Sequence, residues 1–241
     1  MKTILITGSS GGIGSAIAKK FAKSHNNIIL VYNNNLSSIE KLKQSFKNCK
    51  IEVIKCDLTK ADQINNMVEK IIKSHQKIDY LINCAGISKY QLIQDTTEED
   101  YQEVFDTNLK SIVMLTAAVS KYMISEKYGK IINISSMWGL VGSSMESLYS
   151  ASKGAINTLT LSLAKELGPS NITVNAICPG LINTKMNHKL SRETIRNLVI
   201  NTPLKRIGKP EDIANLTAFL CDEKASFITG QLITVDGGFT L

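Results

Sequence analysis

The chain has 241 residues, 43% of them hydrophobic and 20% charged, and a net charge of +7. A chain of this length can bury roughly 70–75% of its unfolded surface, which predicts one α/β domain over 1–241. No run approaches the ~20 apolar residues of a membrane span, and the apolar start is too short for a signal peptide, so a soluble cytoplasmic protein is expected.

Short β-branched runs alternate with amphipathic segments along the chain. TILIT (3–7) is followed by a glycine-rich turn and a helical pattern over 12–24. IILVY (28–32) precedes a helix over 37–47, IEVIK (51–55) a helix over 60–74, and IDYLIN (78–83) a long helix over 99–126. KIINIS (130–135) leads to a helix over 150–167, and ITVNAI (172–177) to a long polar and helical stretch over 184–209 and a helix over 210–221. QLITV (231–235) closes the series. Four- to six-residue apolar runs bounded by Gly, Asn, Asp or Pro read as strands buried on both faces of a parallel sheet. The pattern predicts a doubly wound sheet of about seven strands with helices on both faces. The 184–209 stretch lies at the carboxyl edge of such a sheet and is expected to cover a substrate.

The chemistry-bearing types narrow the function. The cysteines at 49, 56, 84, 178 and 221 are odd in number and lack CxxC spacing, which argues for reduced thiols over a disulfide frame or zinc site. His25, His75 and His188 are scattered, so neither a histidine triad nor a metal site is expected. All but three of the basic residues (Arg192, Arg196, Arg206) are lysine and read as solvated helix faces. That disfavours nucleic acid and leaves an acidic protein partner open.

The loop Thr7–Gly14, TGSSGGIG, sits between the first strand and the first helix. Gly8 allows a tight turn, Gly12 a close backbone approach to a ligand, and Gly14 close helix–sheet packing. The helix start then offers free N–H groups and a positive dipole end to a pyrophosphate. Downstream, Ser136 ends the fifth strand, and Tyr149 and Lys153 stand four apart on one helix face. An ammonium beside a phenol is expected to pull its pKa down toward working pH. Such a tyrosine can protonate a ketone oxygen while Ser136 holds the same atom. A lone YxxxK is more often a solvated pair; the phosphate loop and the serine shift the balance toward catalysis.

TGxxxGxG, the Asn83-Cys84-Ala85-Gly86 turn, Asn108, the Ser136–Tyr149–Lys153 set, Pro179-Gly180 and VDGG (235–238) together resemble the short-chain dehydrogenase/reductase family across the whole chain. The resemblance implies a Rossmann fold, a catalytic set of Asn108, Ser136, Tyr149 and Lys153, and a homotetramer built through 99–126, 150–167 and the last strand. It also implies that Lys153 bonds the nicotinamide ribose and that Asn108 holds a proton-relay water. For the dinucleotide it implies contacts from Thr7, Gly8, Ser9, Ser10, Gly12, Ile13 and Gly14; from Tyr32, Asn33 and Asn34; and from Asp57 and Leu58. Further contacts come from Asn83, Ala85, Gly86, Tyr149, Lys153, Pro179, Gly180, Ile182 and Thr184. The second strand ends VYNNNLSS with no acid before Glu40, which favours NADP(H) over NAD(H), while Gly11 stands where many NADP-using members carry a basic residue.

Two substrate classes compete. KIINISS, YSASKGA, NITVNA and ASFITGQ resemble bacterial 3-oxoacyl-[acyl-carrier-protein] reductases, whose basic residues grip the acidic carrier; one matching position is Lys127, the other falls near Ser170 and is not basic. SSMWGLVGSSMESLYS and SKYQLIQDTTEED resemble the elongation factor P 5-aminopentanone reductases. An aminoketone carries an ammonium that a carboxylate and an indole face attract, which would make Trp138 and Glu146 substrate readers. The plain alternative is that Trp138 packs and Glu146 caps a helix. A dinucleotide-binding regulator without turnover is the third class, and the complete Asn–Ser–Tyr–Lys set argues against it.

Overall fold

The computed structural model describes residues 1–24, 26–46 and 49–241. His25 and Lys47, the end of the expected 37–47 helix, lie outside them. Seven strands form one sheet: β1 (Thr3–Ile6), β2 (Asn27–Tyr32), β3 (Lys50–Lys55), β4 (Tyr80–Asn83), β5 (Gly129–Ile134), β6 (Ile172–Pro179) and β7 (Leu232–Val235). Their order is β3-β2-β1-β4-β5-β6-β7 and every pairing is parallel. This is the doubly wound Rossmann-like sheet that the alternating runs predict.

Helices cover both faces. On one lie α1 (Gly12–Phe21), α2 (Leu36–Gln44) and α9 (Pro210–Cys221), packed on Ile4, Ile6, Ile28, Leu30 and Ile132. On the other lie α3 (Ala61–His75), α5 (Ser111–Glu126) and α7 (Ser147–Leu167), packed on Leu5, Ile29, Leu81, Ile131 and Val174. Successive strand residues point to opposite faces, so a sheet covered twice needs apolar residues at nearly every strand position. That is why the strands read as unbroken runs. Among the described residues no helix is long and apolar enough to cross a membrane.

The expected helix over 99–126 is divided. α4 (Glu98–Phe105) opens on a capping box between Thr97 and Asp100, then a π-turn over Asp106–Lys110 leads into α5. The polar and helical stretch over 184–209 holds α8 (Arg192–Asn201), and the short α6 (Trp138–Val141), where no helix is expected from the sequence, follows β5.

Candidate active site

The carboxyl ends of β1, β4, β5 and β6 converge with the first turns of α1 and α7. The Thr7 hydroxyl oxygen accepts the N–H groups of Cys84 (2.9 Å) and Ala85 (3.1 Å), which ties the end of β1 to the end of β4. Gly8 has φ +62°, and a Cβ there would meet the Cys84 carbonyl at 2.7 Å. A Cβ on Gly14 would lie 2.4 Å from the Gly8 oxygen, and one on Gly12 would lie 2.9 Å from Cγ2 of Thr184. Gly11 is the N-cap of α1 and has no side chain to cap it, so the first-turn N–H groups of Gly12 and Ile13 are left uncapped, while that of Gly14 faces the Cys84 sulfur. Ser9 is buried and donates to the Ile6 carbonyl (2.6 Å), while Ser10 stays partly open. A cradle closed to side chains and lined by unsatisfied donors at a helix start fits a pyrophosphate, so the residues present fit a dinucleotide.

Tyr32 ends β2, and Asn33 and Asn34 follow it, exposed. Asn35 caps α2 by accepting the Ser38 N–H at 3.1 Å. Asp57 makes a side-chain turn, its Oδ1 accepting the Thr59 N–H (3.0 Å) and hydroxyl (2.8 Å), and the Thr59 N–H holds its carboxyl below the ordinary range. Asp57 thus closes the turn that follows β3, with Leu58 next to it packing on the core.

Asn83 is buried at the end of β4. It is in register with Asn133 across β4 and β5, and its Nδ2 donates to the Asn133 Oδ1 at 2.8 Å. Asn133 in turn donates to the Thr160 hydroxyl (2.9 Å), which donates to the Ile156 carbonyl (2.8 Å). The Asn83 side chain is thus committed to a buried chain linking two strands to α7. Ala85 and Gly86 continue from it into the cleft floor.

Ser136 is buried just past β5; its oxygen accepts the Trp138 N–H at 3.2 Å, and its hydroxyl hydrogen-bonds the Tyr149 phenol. Tyr149 stands in the first turn of α7 and Lys153 one turn later. Lys153 is 4% exposed; its Nζ donates to the Ile134 carbonyl (2.9 Å) and lies 5.6 Å from the centre of the Tyr149 ring. Burial pushes its pKa down to about 8. Tyr149 departs from the expectation: burial raises its pKa, and the charges of Glu146 and Cys84 raise it further against the opposing Ser136 hydrogen bond. The ammonium brings no compensating fall because Nζ is turned to a backbone carbonyl. The phenol is held protonated, which is the form a proton donor needs.

Asn108 lies on the π-turn and is fully buried. Its Oδ1 accepts the Ile87 N–H (2.8 Å), and its Nδ2 donates to the Ile87 carbonyl (3.0 Å) and the Ser152 hydroxyl (3.0 Å). A Cβ on Gly86 would lie 3.2 Å from Asn108 Oδ1 and 3.4 Å from Lys153 Nζ, so that glycine keeps open the space the two side chains border.

Trp138 begins α6 and meets Phe239 edge-on, ring centres 5.5 Å apart. Glu146 precedes α7 but makes no side-chain cap. Its carboxylate accepts the Ser88 hydroxyl instead; burial raises its pKa, while Ser88 and the Trp138 side chain favour its charged form. The two residues therefore form one wall with Ser88 and Phe239, close enough to Tyr149 for Glu146 to act on it electrostatically. Ser88 and Phe239 carry no spacing signal of their own and are located only by the fold.

The Pro179 carbonyl accepts the Met137 N–H (2.9 Å), and a Cβ on Gly180 would lie 2.7 Å from Asp236 Cα. Ile182 is buried and bridges to Gly208, and Thr184 rests on Gly12. The 184–209 segment returns through Leu204, whose N–H donates to the Gly237 carbonyl at 3.1 Å, two residues before Phe239. It therefore touches the glycine loop at one end and the segment behind Trp138 at the other.

A parallel sheet with an uncapped glycine loop after β1, and Ser, Tyr and Lys grouped at its carboxyl edge, defines a dinucleotide-dependent oxidoreductase. The family model described as enoyl-(acyl carrier protein) reductase matches residues 8–240, and the chain belongs to the short-chain dehydrogenase/reductase family, whose members are NAD(P)-dependent oxidoreductases. It is 37% identical to the 3-oxoacyl-[acyl-carrier-protein] reductase FabG of Thermotoga maritima, over 100% of this chain and 98% of that protein. It is 39% identical to the uncharacterized oxidoreductase YmfI of Bacillus subtilis, over 99% and 98%. The crystal structure of a putative gluconate dehydrogenase from Agrobacterium tumefaciens superposes with a TM-score of 0.95 at 33% identity, covering 99% of this chain and 95% of that one.

Proposed function

We propose that the protein reduces a ketone to a secondary alcohol with NADPH, and that the ketone is a 3-oxoacyl group presented by acyl carrier protein. The observation that carries the reaction is the pairing of a half-buried, protonated Tyr149 with the Ser136 hydroxyl that hydrogen-bonds it, two groups that a carbonyl oxygen can meet together. When bound, the nicotinamide supplies the hydride that reaches the carbonyl carbon. Ser136 donates a hydrogen bond to the carbonyl oxygen and fixes it. Tyr149 gives its phenolic proton to that oxygen. Lys153, with its low pKa, is a ready source for replacing that proton from Nζ, and it is also placed to hold the ribose. Asn108, with one Oδ1 lone pair unused, holds a water that feeds Lys153.

The glycine loop, Tyr32 to Asn34, Asp57–Leu58, Ala85–Gly86 and Pro179 to Thr184 line the dinucleotide. No acid precedes Glu40 after β2, so nothing there repels a 2′-phosphate. The 37% identity to a named 3-oxoacyl-[acyl-carrier-protein] reductase over the full chain supports the substrate class. We further assign the chain to one dinucleotide-binding domain with 184–209 as its cover, in a cytoplasmic homotetramer. Exposed Tyr101, Met114 and Leu161 on α4, α5 and α7 support the helical interface.

One observation favours a second substrate: the Glu146 carboxylate, half-buried with Ser88 and Trp138 beside Tyr149, suits an ammonium. That is the group an aminopentanone on elongation factor P would bring, and a fatty acyl chain has none. NADPH oxidation is measured with an acetoacetyl thioester and with elongation factor P bearing the aminopentanone, in parallel. Preference for the thioester is expected. Preference for the modified factor, lost in Glu146→Gln while thioester turnover persists, would replace the first reading with the second.

A further inference from the structure

The net charge of the chain is not spread over it. Residues 184–209 hold Lys185, Lys189, Arg192, Arg196, Lys205, Arg206 and Lys209, with Glu193 as the only acid. This segment therefore carries +6 of the +7, and the remainder of the chain is nearly neutral at +1. All three arginines of the protein lie in it. The lysines elsewhere are balanced by acids; those of the cover are not. Among the described residues its one ion pair is Arg206 with Asp212 at 2.8 Å. Lys185, Arg192, Arg196 and Lys209 are exposed.

The scaffold beneath this charge is thin. No residue of α8 is buried, and Met186, Ile200 and Leu204 are exposed apolar side chains among the cations. A ten-residue helix without a buried face gains little from packing. Cations interleaved with exposed apolar groups make a poor solvated face and a good protein-docking face. The place also matters. The cover touches Gly12 through Thr184 and the Gly237–Phe239 segment through Leu204, so it stands at the mouth of the cleft that holds Tyr149. Lys127 and Ser170, where a carrier grip is expected from the sequence, immediately precede the amino ends of β5 and β6. Those ends lie about 20 Å from the carboxyl edge, at ~3.3 Å per strand residue.

We propose that the 184–209 cover is the docking surface for an acidic protein that presents the ketone, with Arg192 and Arg196 on α8 as its main electrostatic contacts. The proposal deepens the reductase reading and rests on it for the ketone, but the docking is measurable without turnover.

Three forms are compared: the wild type, Arg192→Glu/Arg196→Glu, and Lys41→Glu/Lys43→Glu on α2, which makes the same charge change elsewhere. Their affinities for acetoacetyl-loaded acyl carrier protein and for elongation factor P are read by fluorescence anisotropy at about 50 and 200 mM salt. Turnover is followed with the loaded carrier and with a small neutral ketone. The α8 variant is expected to bind the preferred acidic protein about tenfold more weakly and to lose kcat/KM in proportion through KM, with neutral-ketone turnover within about twofold of wild type. The α2 variant should follow the wild type, and higher salt should narrow the gap. Equal affinity in all three forms, equal weakening by the α2 variant, or a wild type that binds neither acidic protein overturns the proposal. A loss of neutral-ketone turnover as large as the loss with the carrier also overturns it, making α8 part of the catalytic wall. Failure of every ketone with binding intact would instead sink the reductase reading and leave the docking surface standing.

Discussion

The glycine loop and the 184–209 cover border the same cleft and are built on opposite terms. The loop is backbone packed on backbone: hydrogens are the only substituents that fit at Gly8 and Gly14. The cover is strapped by a few bonds, Asn183 to Gly208, Gly208 to Leu181 and Leu204 to Gly237, and its helix buries nothing. On the proposed function, the wall fixed by sterics is the one that accepts an unvarying pyrophosphate, and the loosely held, charged wall is the one that meets the substrate.

The largest expected effect lies where neither wall decides. Tyr149→Phe should lower turnover by about 10³-fold while NADPH binding, followed by its fluorescence, persists. Substantial turnover by that variant removes Tyr149 as the proton donor. The next effect sharpens the contrast: Gly14→Ala forces a Cβ onto the Gly8 carbonyl and should cost about 2 kcal/mol, seen as a Tm lower by about 4–8 °C.

A pH series tests the proton path. Lys153 holds its proton below about pH 8 in the fold and near the ordinary 10.5 when unfolded. kcat/KM for reduction should therefore fall as pH rises through about 8. Between 8 and 10.5 the unfolded chain binds the extra proton, so the Lys153 contribution to stability rises with pH over the same window. Activity and this part of stability run in opposite directions, and a flat rate profile to pH 10 removes Lys153 from the path. The smallest effect belongs to the cover: Ile200→Ser should shift stability by less than about 0.5 kcal/mol in a denaturant titration. A large loss there would break the comparison with the loop.

The seven strands were legible because double burial leaves no room for polar alternation, and the Tyr149–Lys153 pair because a four-residue step on a helix sets one face. The glycine loop was legible because sterics admit one residue type. Asn83 was not: the motif names the residue, but only the register with Asn133 shows that its side chain turns inward. Tyr149's raised pKa was hidden for a similar reason, since spacing puts Lys153 nearby without saying where Nζ points. Glu146 escaped the capping reading because its partner, Ser88, is 58 residues away. Phe239 reaches Trp138 only through the fold of the last turn.

The π-turn at Asp106–Lys110 is a phase shift written into a helix. A regular α-helix advances about 100° per residue, and a π-turn inserts one surplus step. α5 must present Leu115, Val119 and Met123 to the sheet, while Asn108 must reach back to Ile87 and Ser152. With the surplus step both faces are aimed correctly. Deleting one residue here would heal the helix and swing one side by about a quarter-turn, so the chain could keep its core or its buried asparagine, but not both. Insertions and deletions, more than substitutions, are what this stretch cannot absorb.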